Sequence, residues 1–188
     1  MSTIVRSRPV RAERAAARGA SAPGEQVRAL LAAWRDEAQR GGAPRKSPAC
    51  EALRNAGEHA VEPLTETLAS GDPPSLRAAS AELLADIAGR DAAGALIQAL
   101  SDEDASVASA AADALGRLGD PRAVQPLTEA LCRDNLQLQG RVIEALAQFG
   151  HRPTAGCLEK LEHEEAHVRQ AAARALSRLG DHEAVEGL

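Results

Sequence analysis

Hydrophobic and polar positions recur along this 188-residue chain with a period of about 31 residues. The segment DPRAVQPLTEALCRDNLQLQGRVIEALAQFG, residues 120–150, has close variants that begin at Gly57, Asp91 and His151, and a fragment begins at Asp181. Matching apolar positions are occupied by Leu64, Leu96, Leu127 and Leu158. A regular period of this length predicts a repeat architecture, in which each unit packs only against its neighbours.

Each repeat resolves into two helices. Helix A contains AVEPL or AVQPL, and Pro63 and Pro126 fall in its first turn, where a missing N–H costs little. Helix B carries an apolar stripe, which in the third repeat consists of Leu138, Val142, Ala145, Leu146 and Phe149. The predicted helix B N-caps are Asp104, Asn135 and Glu165, and the predicted left-handed stops are Gly119, Gly150 and Gly180. One repeat cannot bury its apolar face alone, so stability must come from stacking.

The A-V-x-P-L, V-R and A-L-x-x-L-G pieces resemble the short HEAT-like repeats of bacterial and archaeal proteins, a class also found in phycobilisome lyases. The resemblance covers residues 57–188 and, more weakly, residues 25–56. It implies an all-α, right-handed α-solenoid of about four and a half helix pairs. The V-R pair is present at Arg77 and Arg169 but is replaced at Ala108 and Gln139, so we expect any arginine–aspartate ladder to be interrupted in the middle.

The repeats define the domain organisation that we predict. Residues 1–24 form a disordered basic tail, and residues 25–188 form the repeat domain. Its units are a degenerate capping repeat (25–56), four repeats (57–90, 91–119, 120–150 and 151–180) and a partial repeat (181–188). A partial last repeat would leave an apolar edge uncovered, which suggests truncation, self-association or coverage by a partner.

Charge separates the tail from the body. The tail carries Glu13 and five arginines, a charge of +4 that leaves −9 on the remainder of a chain whose net charge is −5; the arginines are Arg6, Arg8, Arg11, Arg14 and Arg18. Its composition fits either a disordered bacterial tail or a mitochondrial transit peptide, and it has no apolar core of a secretory signal. Cys50, Cys132 and Cys157 form no C-x-x-C pair and predict reduced thiols in a cytoplasmic protein without a membrane span.

Candidate catalytic groups are few. The string HEEAH, from His163 to His167, matches a zinc-binding motif formally, but the repeat pattern places a turn between the two histidines. A bilin site would favour an aromatic or nucleophilic lining, whereas Trp34 and Phe149 are the only aromatic residues and are predicted to lie in the core. We therefore expect no catalytic residue, no metal site and no cofactor, and we interpret the chain as not an enzyme.

The outward positions of the B helices suggest a partner surface. Small residues form rows beside acidic ones, which favours a groove with an acidic edge for a basic peptide. The predicted partner-binding residues are Glu82, Asp113, Glu144, Ala112, Gly116, Ile143, Ala147 and Arg174. The alternative is that small residues only let the B helices pack closely. A further hypothesis is that the basic tail docks in this groove as an intramolecular ligand.

These observations together favour a non-catalytic scaffold or adaptor that binds another protein, one with a basic segment, on the B helices. The first alternative is accessory binding to nucleic acid or an anionic surface through the arginine tail. The acidic repeat body argues against specific nucleic-acid recognition. The second alternative is a bilin-lyase-like chaperone or enzyme, which the family resemblance brings with it.

Overall fold

A computed structural model describes the backbone of residues 23–150 and 153–186 and the side chains as far as residue 180. Within these ranges the chain forms ten α-helices and no strand. The helices are α1 (Pro23–Gln39), α2 (Pro48–Ala56), α3 (Val61–Leu68), α4 (Pro74–Ala88), α5 (Ala93–Ala99), α6 (Ala105–Leu118), α7 (Val124–Ala130), α8 (Leu136–Ala147), α9 (Thr154–Lys160) and α10 (Ala166–Glu186). Short 3-10 turns occupy Pro44–Lys46, Gly57–Ala60, Gly89–Ala92 and Pro121–Ala123.

The helices stack as antiparallel pairs along one direction. Helices α4, α6, α8 and α10 correspond to helix B of successive repeats, and each packs along the next. The A helices α3, α5, α7 and α9 pack mainly on their own B helix and only lightly on one another. One apolar core runs through the whole row, from Val27 in α1 to Leu179 in α10. The predicted all-α solenoid is confirmed.

The N-caps predicted at Asp104 and Asn135 and the stop predicted at Gly119 are confirmed, whereas the stop predicted at Gly180 is wrong. The Asp104 carboxylate accepts from the Ser106 amide at 2.8 Å, and the Asn135 side chain accepts from the Leu138 amide at 2.9 Å. Gly119 ends α6 in the left-handed region at φ +59°. Gly180 does not end its helix, because α10 continues to Glu186. Residues 181–186 contain no proline and prolong the helix instead of opening a new repeat.

The fourth helix A is shifted by one residue from the predicted alignment. Leu64, Leu96 and Leu127 are fully buried, but Leu158 is 51% exposed and Cys157 is fully buried in its place. The fourth repeat is one residue shorter than the third. The missing residue lies before α9, so that Cys157 takes the core position that Leu127 occupies in the third repeat. The sequence alignment had placed this shortening later in the repeat.

Polar side chains join the turns of neighbouring repeats. Arg77 donates to both carboxylate oxygens of Asp102 at 2.7 and 3.0 Å, and both side chains are nearly buried. Gln139 occupies the corresponding position in α8 and donates to two backbone carbonyls of the turn before it, both at 3.1 Å. These bonds of Gln139 stay within its own repeat, like the bond from Arg77 to the Asp72 carbonyl at 2.7 Å, and no ion pair to the next repeat is formed at Gln139, where the sequence indicated an interrupted ladder.

The described helices include none that is long and apolar enough to cross a membrane.

Candidate functional site

The exposed side of the B helices carries a connected set of charged residues, which we call the B-helix face. It includes four carboxylates, Glu82, Asp86, Asp113 and Glu144, and six arginines, Arg45, Arg54, Arg117, Arg141, Arg174 and Arg178. Arg45 and Arg54 come from the amino-terminal elements, and the others lie on α4, α6, α8 and α10. The set therefore runs from one end of the solenoid to the other.

Ion pairs connect neighbouring elements along this face. Three carboxylates each meet one arginine: Arg45 Nη1 lies 2.5 Å from Glu82 Oε1, Arg141 Nη1 lies 3.7 Å from Asp113 Oδ2, and Arg178 Nη2 lies 3.3 Å from Glu144 Oε2. The predicted acidic edge is therefore not an acidic surface, because an arginine from a neighbouring element faces each carboxylate. Six arginines against four carboxylates leave this set with a positive surplus.

Two arginines converge on one carboxylate at the amino-terminal half of the face. Arg54 Nη2 lies 3.1 Å from Asp86 Oδ2, and Arg117 Nη1 lies 3.0 Å from Asp86 Oδ1. The arginine side chains are 48% and 51% exposed, whereas Asp86 is 29% exposed. They line an open cavity of about 460 Å³, together with Glu82, Asp113 and Gln148. Burial raises the pKa values of Glu82 and Asp113 above their ordinary values, against the opposing effect of nearby arginines.

The sequence analysis missed these arginines, although a signal for them exists. Asp86, Arg117 and Gln148 follow Glu82, Asp113 and Glu144 by four residues, one helical turn further along α4 and α6 and at the C-cap of α8. The predicted acidic row therefore has a second, mixed row directly beside it. Reading both rows together would have indicated paired charges instead of an acidic edge.

Most of the small residues that were predicted to form the floor of a groove are not accessible. Ala112 is fully buried and Gly116 and Ala147 are buried. A Cβ atom on Gly116 would lie 2.9 Å from the Cα of Ala145 in α8. These residues let the B helices approach one another, and the interpretation as a ligand-contacting floor is wrong for them.

A second, shallower cavity lies towards the carboxyl end of the face. Its volume is about 310 Å³, and Arg174 and Arg178 of α10 line it together with Ile143 and Glu144 of α8. Ile143 is 9% exposed, and Arg174 donates to the side-chain oxygen of Gln139 at 2.9 Å. Of the predicted partner-binding residues, Ile143, Glu144 and Arg174 therefore share one cavity.

Of the two histidines of the HEEAH string, His163 lies before α10 and His167 lies in the first turn of α10. The Glu165 amide donates to Nδ1 of His163 at 3.2 Å, and Nε2 of His167 lies 3.1 Å from the backbone oxygen of Cys132. Among the residues whose placement is described, no group of three or more His, Cys, Asp or Glu side chains is arranged to hold a metal ion.

The cysteine thiols are mostly enclosed. Cys50 and Cys157 are buried, and burial raises the pKa of the Cys157 thiol to about 11. A thiol with such a pKa is almost entirely protonated at neutral pH and is a poor nucleophile. The tail arginines Arg6, Arg8, Arg11, Arg14 and Arg18 lie outside the described residues, so docking of the tail remains a hypothesis.

Comparisons with known proteins identify relatives with an enzymatic function. The sequence pattern of HEAT repeats matches residues 61–147 and 133–188. The chain is 39% identical over 158 residues to the phycocyanobilin lyase subunit alpha of Picosynechococcus sp., an alignment that covers 81% of this chain and 52% of the relative. The chain thus spans about half the length of that curated relative.

A solved structure points to the same class of proteins. The complex of CpcE and CpcF of phycocyanin lyase from Nostoc sp. aligns with a TM-score of 0.52 and 25% identity, covering 88% of this chain and 68% of the neighbour. These relatives are subunits of enzymes, and they contradict the interpretation of the chain as a non-catalytic scaffold or adaptor and the expectation that it is not an enzyme. The repeat pattern, which matches most of the chain, shows that this protein belongs to the HEAT-repeat family.

Proposed function

We propose that this chain is a subunit of a lyase that acts on phycocyanobilin or a related bilin, together with a second protein chain. The observation that carries the proposal is the 39% identity to a phycocyanobilin lyase subunit over 81% of this chain. The structural similarity to a chain in a two-protein lyase complex supports the same assignment and the need for a protein partner.

The surface of the chain is consistent with a shared site. The B-helix face offers charged side chains and two open cavities, of about 460 and 310 Å³, but no aromatic residue lines either cavity. Pockets for ligands of this size are usually lined mainly by apolar and aromatic groups. We therefore propose that this chain supplies polar contacts to the bilin and that the second chain covers its apolar rings.

A chimaeric subunit tests this function directly. Residues 25–180 would replace the aligned segment in the alpha subunit of the Picosynechococcus lyase, because the chain spans only half of that relative. The chimaera, its second subunit, phycocyanobilin and phycocyanin apoprotein are combined, and covalent pigment is measured on denaturing gels by zinc-induced fluorescence and by mass spectrometry. Attachment at the site used by the parent lyase is the expected result.

Two controls decide how the result is interpreted. A mixture without the chimaera gives the background of spontaneous attachment, and circular dichroism establishes that the chimaera is folded. A folded chimaera that binds its second subunit but yields no more pigment than the background would refute the lyase proposal.

A further inference from the structure

We propose that the carboxyl-terminal end of the solenoid binds the arginine-rich tail of a second copy of this chain. The binding surface, which we call the end face, consists of Leu158, Leu161 and Leu176 and of the acidic turn beside them. This inference goes beyond the proposed function, because it concerns contacts between copies of this chain and its test involves no pigment.

The end face is the side of the last repeat that points away from the rest of the stack. Leu161 follows Cys157 by four residues, just as Leu131 follows Leu127 in the third repeat. Leu131 is fully buried, whereas Leu161 is 36% exposed. The exposure differs because a further helix pair packs on the third repeat, whereas α10 continues to Glu186 where the next pair would begin.

Two other positions change in the same way. Thr128 is buried, and its Cγ2 atom would lie 3.1 Å from a Cβ on Gly156 in the next helix A, so this position contacts the following repeat. Leu158 takes the same position in the fourth repeat and is 51% exposed. Leu176 is only partly buried, whereas its equivalents in the preceding repeats are fully buried: Leu84, Leu115 and Leu146.

Exposed apolar side chains are concentrated at this end of the stack. Among the side chains that the structure describes, the large apolar ones that are exposed are Leu136, Leu158 and Leu161. Two of them belong to the end face, where Leu176 adjoins them. Apolar groups that lie together on a surface mark an interaction site more often than scattered ones do.

The turn beside the leucines is acidic. Residues 157–169 carry a formal charge of −2 from four glutamates, Lys160 and Arg169, and the glutamates are all exposed: Glu159, Glu162, Glu164 and Glu165. The tail carries +4. Opposite charges therefore meet when the tail of one copy lies along the end face of another.

The tail also contains apolar residues. Ile4, Val5 and Val10 are interspersed with its arginines. A segment of this composition can cover leucines and pair with glutamates at the same time. It thus matches both features of the end face.

The positions of α1 and α10 favour binding between copies over binding within one chain. The two helices lie at opposite ends of the row, and neighbouring helix axes in such packing are ~8–10 Å apart. A tail that reached its own end face would use about ten residues to run along the solenoid, at ~3.3–3.6 Å per residue. The tail of a second copy keeps all five arginines for the contact.

A contact between different ends of two copies leaves one tail and one end face available in every oligomer. Sedimentation equilibrium of the full chain should therefore show an average mass that rises with concentration beyond the mass of a dimer. We expect a Kd on the order of 10–100 μM in about 0.05 M sodium chloride, because the contact is small. The Kd should rise at least about threefold in about 0.5 M sodium chloride, which screens the charges.

Variants of the full chain locate the two contacting parts. The end-face variant Leu158→Asn/Leu161→Asn is expected to raise the Kd about tenfold or more. The tail variant is expected to do the same and carries five substitutions: Arg6→Gln, Arg8→Gln, Arg11→Gln, Arg14→Gln and Arg18→Gln. Leu136→Asn is the matched control, because Leu136 is an equally apolar, 70% exposed residue of α8 outside the end face. Far-UV circular dichroism establishes that every variant is folded.

An equimolar mixture of the two variants gives the decisive measurement. The end-face variant keeps an intact tail, and the tail variant keeps an intact end face. The mixture should therefore form a one-to-one complex with the Kd of the unaltered chain and no larger species.

Three results would overturn the inference, whatever the chimaera shows. The first is an unaltered chain that stays monomeric up to about 1 mM. The second is a tail variant that associates as strongly as the unaltered chain, which would indicate that two end faces pair with each other. The third is a mixture of the two folded variants that stays monomeric.

Discussion

Replacement of Gly116 by alanine is expected to destabilise the protein, although alanine is the better helix former. Gly116 lies inside α6, and an added Cβ would lie 2.9 Å from Cα and 3.1 Å from Cβ of Ala145 in α8, and 3.1 Å from Nε2 of Gln148. The Gln148 side chain can rotate away, but the backbone of Ala145 cannot. The strain is relieved only if α6 and α8 move apart.

The magnitude follows from two opposing effects. Alanine is favoured over glycine in a helix interior by about 1 kcal/mol. Overpacking of a closely packed interface costs typically about 1–3 kcal/mol. Since the nearest atom belongs to the backbone, we expect the cost to lie in the upper half of that range, which leaves a net loss of about 1–2 kcal/mol in the free energy of unfolding.

Gly140 in α8 provides the matched control. An added Cβ at Gly140 meets no heavy atom within 4 Å, so Gly140→Ala retains the helix-propensity gain of about 0.5–1 kcal/mol. Urea unfolding followed by far-UV circular dichroism measures both variants. Thermal unfolding should show midpoints that shift in opposite directions, by about 2–4 °C per kcal/mol.

A change of the same sign in the free energy of unfolding of both variants would refute this reasoning. If Gly116→Ala stabilises the chain as much as Gly140→Ala does, α6 and α8 are not in backbone contact at this point. The account of the small-residue rows as packing surfaces would then fail as well.

Four further predictions concern buried and paired groups. Arg77→Ala should lower the free energy of unfolding by about 2–4 kcal/mol in urea titrations, because it leaves the Asp102 carboxylate nearly buried without its partner; a loss below 0.5 kcal/mol, the ~0–1 kcal/mol scale of exposed pairs, would contradict this. Asp72→Asn should destabilise the chain at pH 7, with a difference that shrinks as the pH falls through the native pKa, since an arginine partner holds the pKa of Asp72 below 3.8. Glu82→Gln should stabilise it at pH 7, because burial raises the pKa of Glu82 above 4.5, with a difference that shrinks as the pH falls through this raised native pKa and is absent below 4.5; equal signs for these two variants would be inconsistent with the assigned causes. Cys157 should remain unmodified by Ellman's reagent at pH 8 until urea is added, because it is fully buried and its pKa is about 11; rapid labelling of the native chain would show that α9 opens.

The sequence predicted the architecture because the period reports which positions are buried. Leu64, Leu96 and Leu127 share one environment, and the caps at Asp104 and Asn135 follow from local hydrogen bonding alone. The prediction from the sequence was wrong where local helix preferences and tertiary packing favour different structures. The fourth helix A is displaced by one residue, and only burial distinguishes adjacent apolar side chains in so short a helix. Gly180 lies in a helix because the residues after it support helical structure.

The candidate site was harder to predict because it depends on contacts between repeats. The acidic row was visible, but the charge of a surface depends on which side chains meet across helices. Arg45 belongs to a 3-10 turn in the irregular amino-terminal segment, where the repeat period gives no alignment. The interpretation as a scaffold used the scarcity of aromatic residues as evidence against enzymatic function, an argument that fails if a second chain completes the site.

In this chain, the repeated apolar positions and the variable charged positions lie in different rows of the B helices. The row Leu84, Leu115, Leu146 and Leu176 repeats one residue because every repeat must present the same apolar group to its neighbours. The parallel row Asp86, Arg117, Gln148 and Arg178 changes in charge at every step, although its members stand at equivalent positions. Stacking alone does not require such variation, since exposed positions are free of the packing constraint. The variation determines which arginines share a carboxylate, and it confines the doubly bridged Asp86 to a single place on the solenoid. The repeats are therefore distinguishable by their surface charge, although the scaffold beneath that surface is repetitive.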